Sequence, residues 1–211
     1  CCIKPGADLP LGSGLNPLSH PSCAILSPLG WSRRPVFVLG LTGSISSGKS
    51  KAAQAFRSLG CPVFDGDADS HRLLADDPSA IFDVAQLVPS AVTNGVVDRA
   101  ALAAHVFADP EALMGLENAL HPKIQVSAMR FLDQHRAQGA DLVVLEMPLL
   151  YEARLESLCG AVAVVTVTDE AQTQRAMARP GMTAARLVAI RARQMDPAEK
   201  TARADYILDS M

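Results

Sequence analysis

The chain has 211 residues, a net charge of −3 at neutral pH with 19% charged residues, and only 4% aromatics. That length fits one domain, with room for an inserted subdomain, and a core that needs no metal or disulfide staple. The charge balance excludes a polybasic nucleic-acid surface, the scarcity of aromatics excludes a single-strand stacking platform, and no stretch approaches the ~20 apolar residues that span a bilayer.

Residues 1–35 hold six of the 14 prolines, with frequent Gly and Ser and no helical or alternating period. This is the composition of a disordered tail, or of residues foreign to the folded unit, and it sets them apart from the domain at 36–209. From Val36 onward, short β-branched runs alternate with helical stretches. Strands are expected at "VFVLGL" (36–41), "CPVF" (61–64), "DLVVLEM" (141–147), "AVAVVTV" (161–167) and "DYILD" (205–209). Their near-continuous apolar character suits a parallel sheet covered on both faces. Between about 70 and 138 no strand signal stands out, whereas Leu113, Leu116, Leu120 and Ile124 recur at helical spacing. That region reads as a helical insertion, with His121-Pro122 ending one helix and starting another. The alternation elsewhere implies right-handed crossovers and a doubly wound five-stranded α/β layer.

The five cysteines (Cys1, Cys2, Cys23, Cys61 and Cys159) show no C-x-x-C or Cys/His spacing. They read as free thiols of a reducing cytoplasm, not as zinc ligands or a disulfide framework.

Three segments carry chemistry. In "GLTGSISSGKSKAA" (40–53), Gly43, Gly48, Lys49 and Ser50 fit G-x-x-x-x-G-K-[ST] between an apolar strand and an amphipathic helix. Backbone N–H groups of Gly43, Ser44, Ile45, Ser46, Ser47 and Gly48 and the helix N-terminus converge on phosphates, Lys49 neutralises the outer ones, and Ser50 offers a hydroxyl to Mg²⁺. Ser46 and Ser47 stand where such loops often use glycine, so backbone strain is expected if either takes positive φ. Lys51 places a cation in the first helical turn, against the dipole but near the bound phosphates.

Asp65, Asp67 and Asp69 in "VFDGDADSHR" (63–72) follow the second strand, where doubly wound sheets place ligands. A carboxylate there can take a proton from an acceptor hydroxyl or hold Mg²⁺, or else cap the next helix; Asp69 is expected to be a cap or a surface residue. After the fourth strand come Arg175, Arg179, Arg186, Arg191 and Arg193, interrupted by "PGMT" (180–183) as a lid hinge would be. "LEMPLLYE" (145–152) closes the third strand as a wall of an acceptor pocket. No N-K-x-D base-reading motif occurs, which disfavours a switch GTPase.

In this order the segments resemble the dephospho-CoA kinase family. The resemblance runs from about Val36 to Asp209 and rests on "GLTGSISSGKS", "GCPVFDGD", "DRAAL", "LENALHP", "PLLYE", Arg175 with Arg179, and the "RQM…EK…ADYILD" ending. It implies a P-loop kinase core with a helical acceptor-binding subdomain at about 66–138 and a short lid at about 172–195. It implies ATP- and Mg²⁺-dependent phosphorylation of the ribose 3′-hydroxyl of dephospho-CoA, the last step of coenzyme A synthesis. By the same resemblance Asp67, Lys49 and Arg175 are the catalytic set, and the 43–51 loop with Arg179 binds ATP. Asp65, Arg72, His121, Pro148 and Leu149 contact the acceptor, and Ser50 and Asp67 hold the metal. The partners implied are small molecules alone, for a cytoplasmic monomer or weak homo-oligomer. The family usually has Gly where Ser46 stands and Thr where Lys51 stands. Its members also continue past the position of Met211 through a turn and a final helix, without which ATP affinity and folding stability are expected to suffer. Another small-molecule P-loop kinase, or a catalytically impaired nucleotide-binding relative, remains as an alternative.

Overall fold

Each of the apolar runs has become a strand of one sheet. The structure, a computed structural model, describes residues 36–210, so the expectation for the 1–35 tail lies outside the described residues. In chain order the elements are β1 (Phe37–Gly43), α1 (Lys49–Ser58), β2 (Val63–Asp65), α2 (Gly66–Asp76), α3 (Pro78–Leu87), β3 (Val92–Thr93), β4 (Val96–Val97) and α4 (Arg99–Ala108). They continue with α5 (Pro110–Ala137), β5 (Leu142–Glu146), β6 (Ala161–Thr166), α6 (Asp169–Met177), α7 (Ala184–Arg193), α8 (Pro197–Ala202) and β7 (Tyr206–Asp209).

The main sheet has the order β2-β5-β1-β6-β7, and every pairing in it is parallel. Alternation along the strands fills both faces. Val38, Val143, Leu145, Val162 and Val164 pack with Ala128 and Leu132 of α5. Leu39, Leu41, Val144, Ala163 and Val165 pack on the other side with Ala53 of α1. A strand buried on both faces has no polar side to show, which is why these runs read as continuous apolar segments. β1 sits centrally, with β5 on one side and β6 on the other, so the chain reverses its direction of travel there. The strand ends beside β1 therefore open into a crevice, the usual ligand position in such sheets.

Residues 66–137 form helices α2 to α5 around their own core of Leu73, Leu74, Val84, Leu102, Val106 and Leu120. Two expectations for this region are corrected. A hairpin interrupts it: β3 and β4 pair antiparallel through Asn94 (φ 53°) and Gly95 (φ 74°). Positive φ at both central residues is the turn geometry that Asn-Gly favours, and Val92 and Val97 tuck into the helical core. Pro122 also fails to split α5, which runs unbroken for 28 residues. An internal proline removes a helical hydrogen bond, at a cost of about 3 kcal/mol. Burial on both sides of it offsets that cost: Leu120 belongs to the insert core, Ala128 and Leu132 to the sheet core, and Ile124 touches both.

Helix starts differ in a way that bears on function. Helices α2 to α8 each begin on an Asp or Thr whose side chain accepts hydrogen bonds from first-turn N–H groups. α1 begins on Gly48 (φ 100°), with no side-chain cap. Of its first-turn donors, the Lys51 N–H turns back to the Gly48 carbonyl at 3.0 Å, and those of Lys49 and Ser50 are left for an external acceptor. Among the described residues Cys61 and Cys159 are free, and burial pushes the Cys159 thiol up to about 12, so it stays protonated. No described helix is long and apolar enough to cross a membrane.

Candidate active site

The loop between β1 and α1 wraps one end of a cavity of about 480 Å³. Residues 45–51 line it, with Asp67, Glu146, Pro148, Arg175, Arg179, Ile190 and Gln194 completing the walls. Gly43 and Ser44 lie behind this surface, where their carbonyl oxygens accept from Lys49 Nζ at 2.9 and 3.1 Å. Ser46 takes φ 57°, the left-handed conformation a serine avoids, and its buried hydroxyl has no partner. Ser47 is buried but is not among the positive-φ residues, so the strain expected of this pair falls on Ser46 alone. The Ile45 side chain packs against Ala176 and Leu187 of α6 and α7. Its peptide is held at both ends, since Ile45 N–H donates to Gln194 Oε1 and Gln172 Nε2 donates to the Ile45 carbonyl, each at 2.9 Å.

A second cavity of about 310 Å³ adjoins the first. Its lining is mostly apolar, from Leu113, Leu116, Leu120 and Ile124 of α5 and from Leu149 and Leu155, with Ser70, Glu117, His121 and Arg193 as polar groups. Asp67, Pro148, Ile190 and Gln194 line both cavities, so the Asp67 carboxylate stands where the two meet.

Local structure explains why Asp67 and not its neighbours reaches that junction. Asp65 ends β2 and its carboxylate caps α2, accepting from Ala68 N–H at 2.9 Å. It also lies 3.6 Å from Arg57. Asp69, expected as a cap or at the surface, is instead buried and paired with Arg72 at 2.7 Å. Arg72 is thereby turned onto Asp69 and Ser127 Oγ, and neither it nor Asp65, both expected to contact the acceptor, lines the second cavity. Gly66 permits the close approach of α2 to β5, because a Cβ there would stand 2.4 Å from Met147 Sδ.

Electrostatics sharpen the junction. Burial pushes the Asp67 carboxyl above its usual range; Lys49 pulls against this and Asp65 adds to it. Burial lowers Lys49 to about 8, with Asp67 and Glu146 resisting and Lys200 and Arg179 assisting. Glu146 is raised, first by burial and then by Asp65. Its Oε2 is buried without a hydrogen-bond partner, 3.8 Å from Arg57. Glu146 pairs in register with both Asp65 and Leu41, which sets it beside the phosphate loop and not in the acceptor wall that its motif indicated.

The five arginines after β6 separate. Arg175 and Arg179 face the larger cavity, and Arg175 also donates to Ser210 Oγ and to the Ser210 carbonyl at 2.9 and 2.7 Å. Arg186 lies over the Phe107 ring, Arg191 pairs with Asp169, and Arg193 reaches Glu117. Lys200, fully buried, pairs with Glu152 at 2.8 Å and donates to the Pro148 carbonyl at 3.3 Å. Glu146, Gln172, Gln194 and Lys200 escaped the choice of site residues. A carboxylate ending a run of buried apolar residues was the available signal for Glu146; the glutamines and the lysine have none that is local.

No three His, Cys, Asp or Glu side chains converge on a metal position among the described residues. Ser50, Asp67 and Glu146, the last with one carboxylate oxygen that has no hydrogen-bond partner, nevertheless line one cavity with Lys49. Sparse hard oxygen donors of this kind suit Mg²⁺ held largely by substrate phosphates and water.

Comparison with known proteins agrees with this geometry. A family model described as dephospho-CoA kinase matches residues 37–211. The chain is similar to the dephospho-CoA kinase of Rhizobium meliloti, 43% identical over 83% of this chain and 89% of that one. It is also similar to that of Paramagnetospirillum magneticum, 47% identical over 77% of each. Among solved structures it resembles a Thermus thermophilus protein with a TM-score of 0.72 and 36% identity, covering 84% of this chain and 90% of that one. A dephospho-CoA kinase from Campylobacter jejuni follows with a TM-score of 0.60 and 26% identity, covering 82% and 88%. With an uncapped phosphate loop, an acid between two cavities and these relatives, the chain belongs to the dephospho-CoA kinase family.

Proposed function

We propose that this protein transfers the γ-phosphoryl group of ATP to the ribose 3′-hydroxyl of dephospho-CoA, giving coenzyme A and ADP. The observation that carries the reading is the place of Asp67, on the wall between a loop built for phosphates and an apolar pocket. The triphosphate rests against residues 45–51, where the uncapped first turn of α1 presents its N–H groups and Lys49, Arg175 and Arg179 balance its charge. The acceptor occupies the smaller cavity against Leu149 and His121 with its hydroxyl at Asp67. Asp67 takes the hydroxyl proton, the oxygen attacks the γ-phosphorus, and the bond to the β-phosphate oxygen breaks, with ADP leaving. An Asp67 carboxyl raised by burial is a stronger base than one in water, and Lys49 pulls against that rise. Ser50 and Asp67, with Glu146 beside them, would hold Mg²⁺, which when bound neutralises charge on the β- and γ-phosphate oxygens. Helices α6 and α7, broken at residues 180–183, serve as the lid that keeps water from the transferring group.

Coupled ADP release with purified protein tests this. Turnover at millimolar ATP should require dephospho-CoA, and an unstimulated rate overturns the reading. Asp67→Asn should lower kcat by about 10²- to 10⁴-fold while leaving ATP binding near the wild-type value.

A further inference from the structure

The acceptor cavity contains an ion pair that its chemistry does not require. Among the described residues that line it, Arg193 supplies the single guanidinium or ammonium group, and that group is occupied by Glu117 of α5. The two side chains are 33% and 30% exposed. A pair so open to water contributes little to stability, so holding α7 against α5 is not a sufficient account of it. The other arginines nearby are committed elsewhere: Arg72 to Asp69, Arg186 to Phe107, Arg191 to Asp169. Arg175 and Arg179 face the donor cavity.

With Asp67 and Glu117 both on its wall, the acceptor cavity carries two carboxylates against one guanidinium. Dephospho-CoA is itself an anion, because a diphosphate diester joins its adenosine to its pantetheine arm. With the 3′-hydroxyl at Asp67, that diphosphate starts from the 5′ position of the same ribose, within the same cavity. It cannot lie beside Glu117 without repulsion unless Arg193 is turned to it. We propose that Arg193 is the receptor for the diphosphate linkage of the acceptor, and that Glu117 is a placeholder anion which the diphosphate displaces. The inference rests on the dephospho-CoA reading and adds to it the residue that selects a diphosphate-bearing acceptor over a bare nucleoside.

The exchange favours the ligand, since a guanidinium meets a diphosphate in paired, charge-assisted hydrogen bonds that a partly exposed carboxylate contact through a single nitrogen does not match. It also has a route to the donor side. Arg193 ends α7, and the next residue, Gln194, lines both cavities and accepts the Ile45 N–H of the phosphate loop.

Calorimetric titration tests this, with the donor cavity filled by a non-hydrolysable ATP analogue and with dephospho-CoA and adenosine as the two ligands. Wild type should bind dephospho-CoA more tightly than adenosine. Arg193→Ala should weaken dephospho-CoA by about 10- to 100-fold, the worth of hydrogen bonds to charged groups, and leave adenosine unchanged. Glu117→Gln removes the competitor and should tighten dephospho-CoA several-fold, again without effect on adenosine. Equal losses for both ligands in Arg193→Ala, weaker dephospho-CoA binding in Glu117→Gln, or a wild type that does not distinguish the two ligands each overturn the inference. Tight, Arg193-dependent binding of dephospho-CoA without phosphorylation would instead overturn the proposed reaction and leave the Arg193 assignment standing.

Discussion

Replacing Ser46 with glycine should make the protein more stable, although it alters the loop on which phosphate binding depends. Ser46 sits at φ 57°, where a residue with a Cβ pays about 1–2 kcal/mol relative to glycine. Its hydroxyl is buried without a partner, which adds about 1 kcal/mol at the low end of the range for an unsatisfied polar group. Against these stands the greater freedom of glycine in the unfolded chain, about 0.4–1 kcal/mol. The balance favours Ser46→Gly by about 1–2.5 kcal/mol, or about 2–10 °C in Tm for a chain of this size. Thermal and urea unfolding without nucleotide, followed by circular dichroism, reads this directly. Ser46→Ala separates the two contributions, because it removes the hydroxyl but keeps the Cβ; it should recover only the polar share. A Tm for Ser46→Gly at or below wild type refutes the strain argument, as does an equal gain in both variants. Because the substitution relieves the same strain in the free and the ATP-bound loop, ATP affinity should change little.

Two other predictions concern buried cations. Lys49 lies at about 8, below the ordinary lysine value of 10.5, so the unfolded chain binds more protons between those values. The stability of the nucleotide-free protein should therefore rise as pH climbs from about 8 toward 10.5. Phosphates beside Lys49 raise it again, so at pH 8 ATP binding should take up about half a proton, measured by calorimetry in buffers of different ionisation enthalpy. Lys49→Arg, permanently charged, should show no such uptake; an equal uptake would refute the assignment. Lys200→Met should cost about 3–5 kcal/mol in urea unfolding, because it leaves Glu152 without its counterion. Lys200→Met/Glu152→Gln should recover most of it, since the amide oxygen can still accept from Met195 N–H; a single substitution that costs nothing would show the pair to be idle.

The division between what was legible in the sequence and what was not follows the range of the forces involved. Five strands could be read because burial on both faces leaves an unbroken apolar run, a property of neighbouring residues. The β3–β4 hairpin had a local signal too, Asn94-Gly95, but strands of two residues are too short to show alternation beside it. At Pro122 the local rule was overruled by two separate cores that hold α5 on either side of it, and neither core is visible from the proline.

The same distinction runs through the site. The phosphate loop is contiguous, so its spacing and its missing helix cap are both written within six residues of Lys49. The acceptor side is assembled from α2, α5, the segment after β5 and the end of α7, and no spacing along the chain records that meeting. Charge pairing then decided among chemically equal candidates. Asp65 went to a helix cap and Arg72 to Asp69, whereas Asp67 was left facing the junction, its burial opposed first by Lys49 and then by His71 and Arg179. Arg193, one of five similar arginines in the sequence, became distinct through a glutamate 76 residues away. A residue type and a motif thus nominate a group for chemistry, but what selects it is whether another side chain has already claimed its charge.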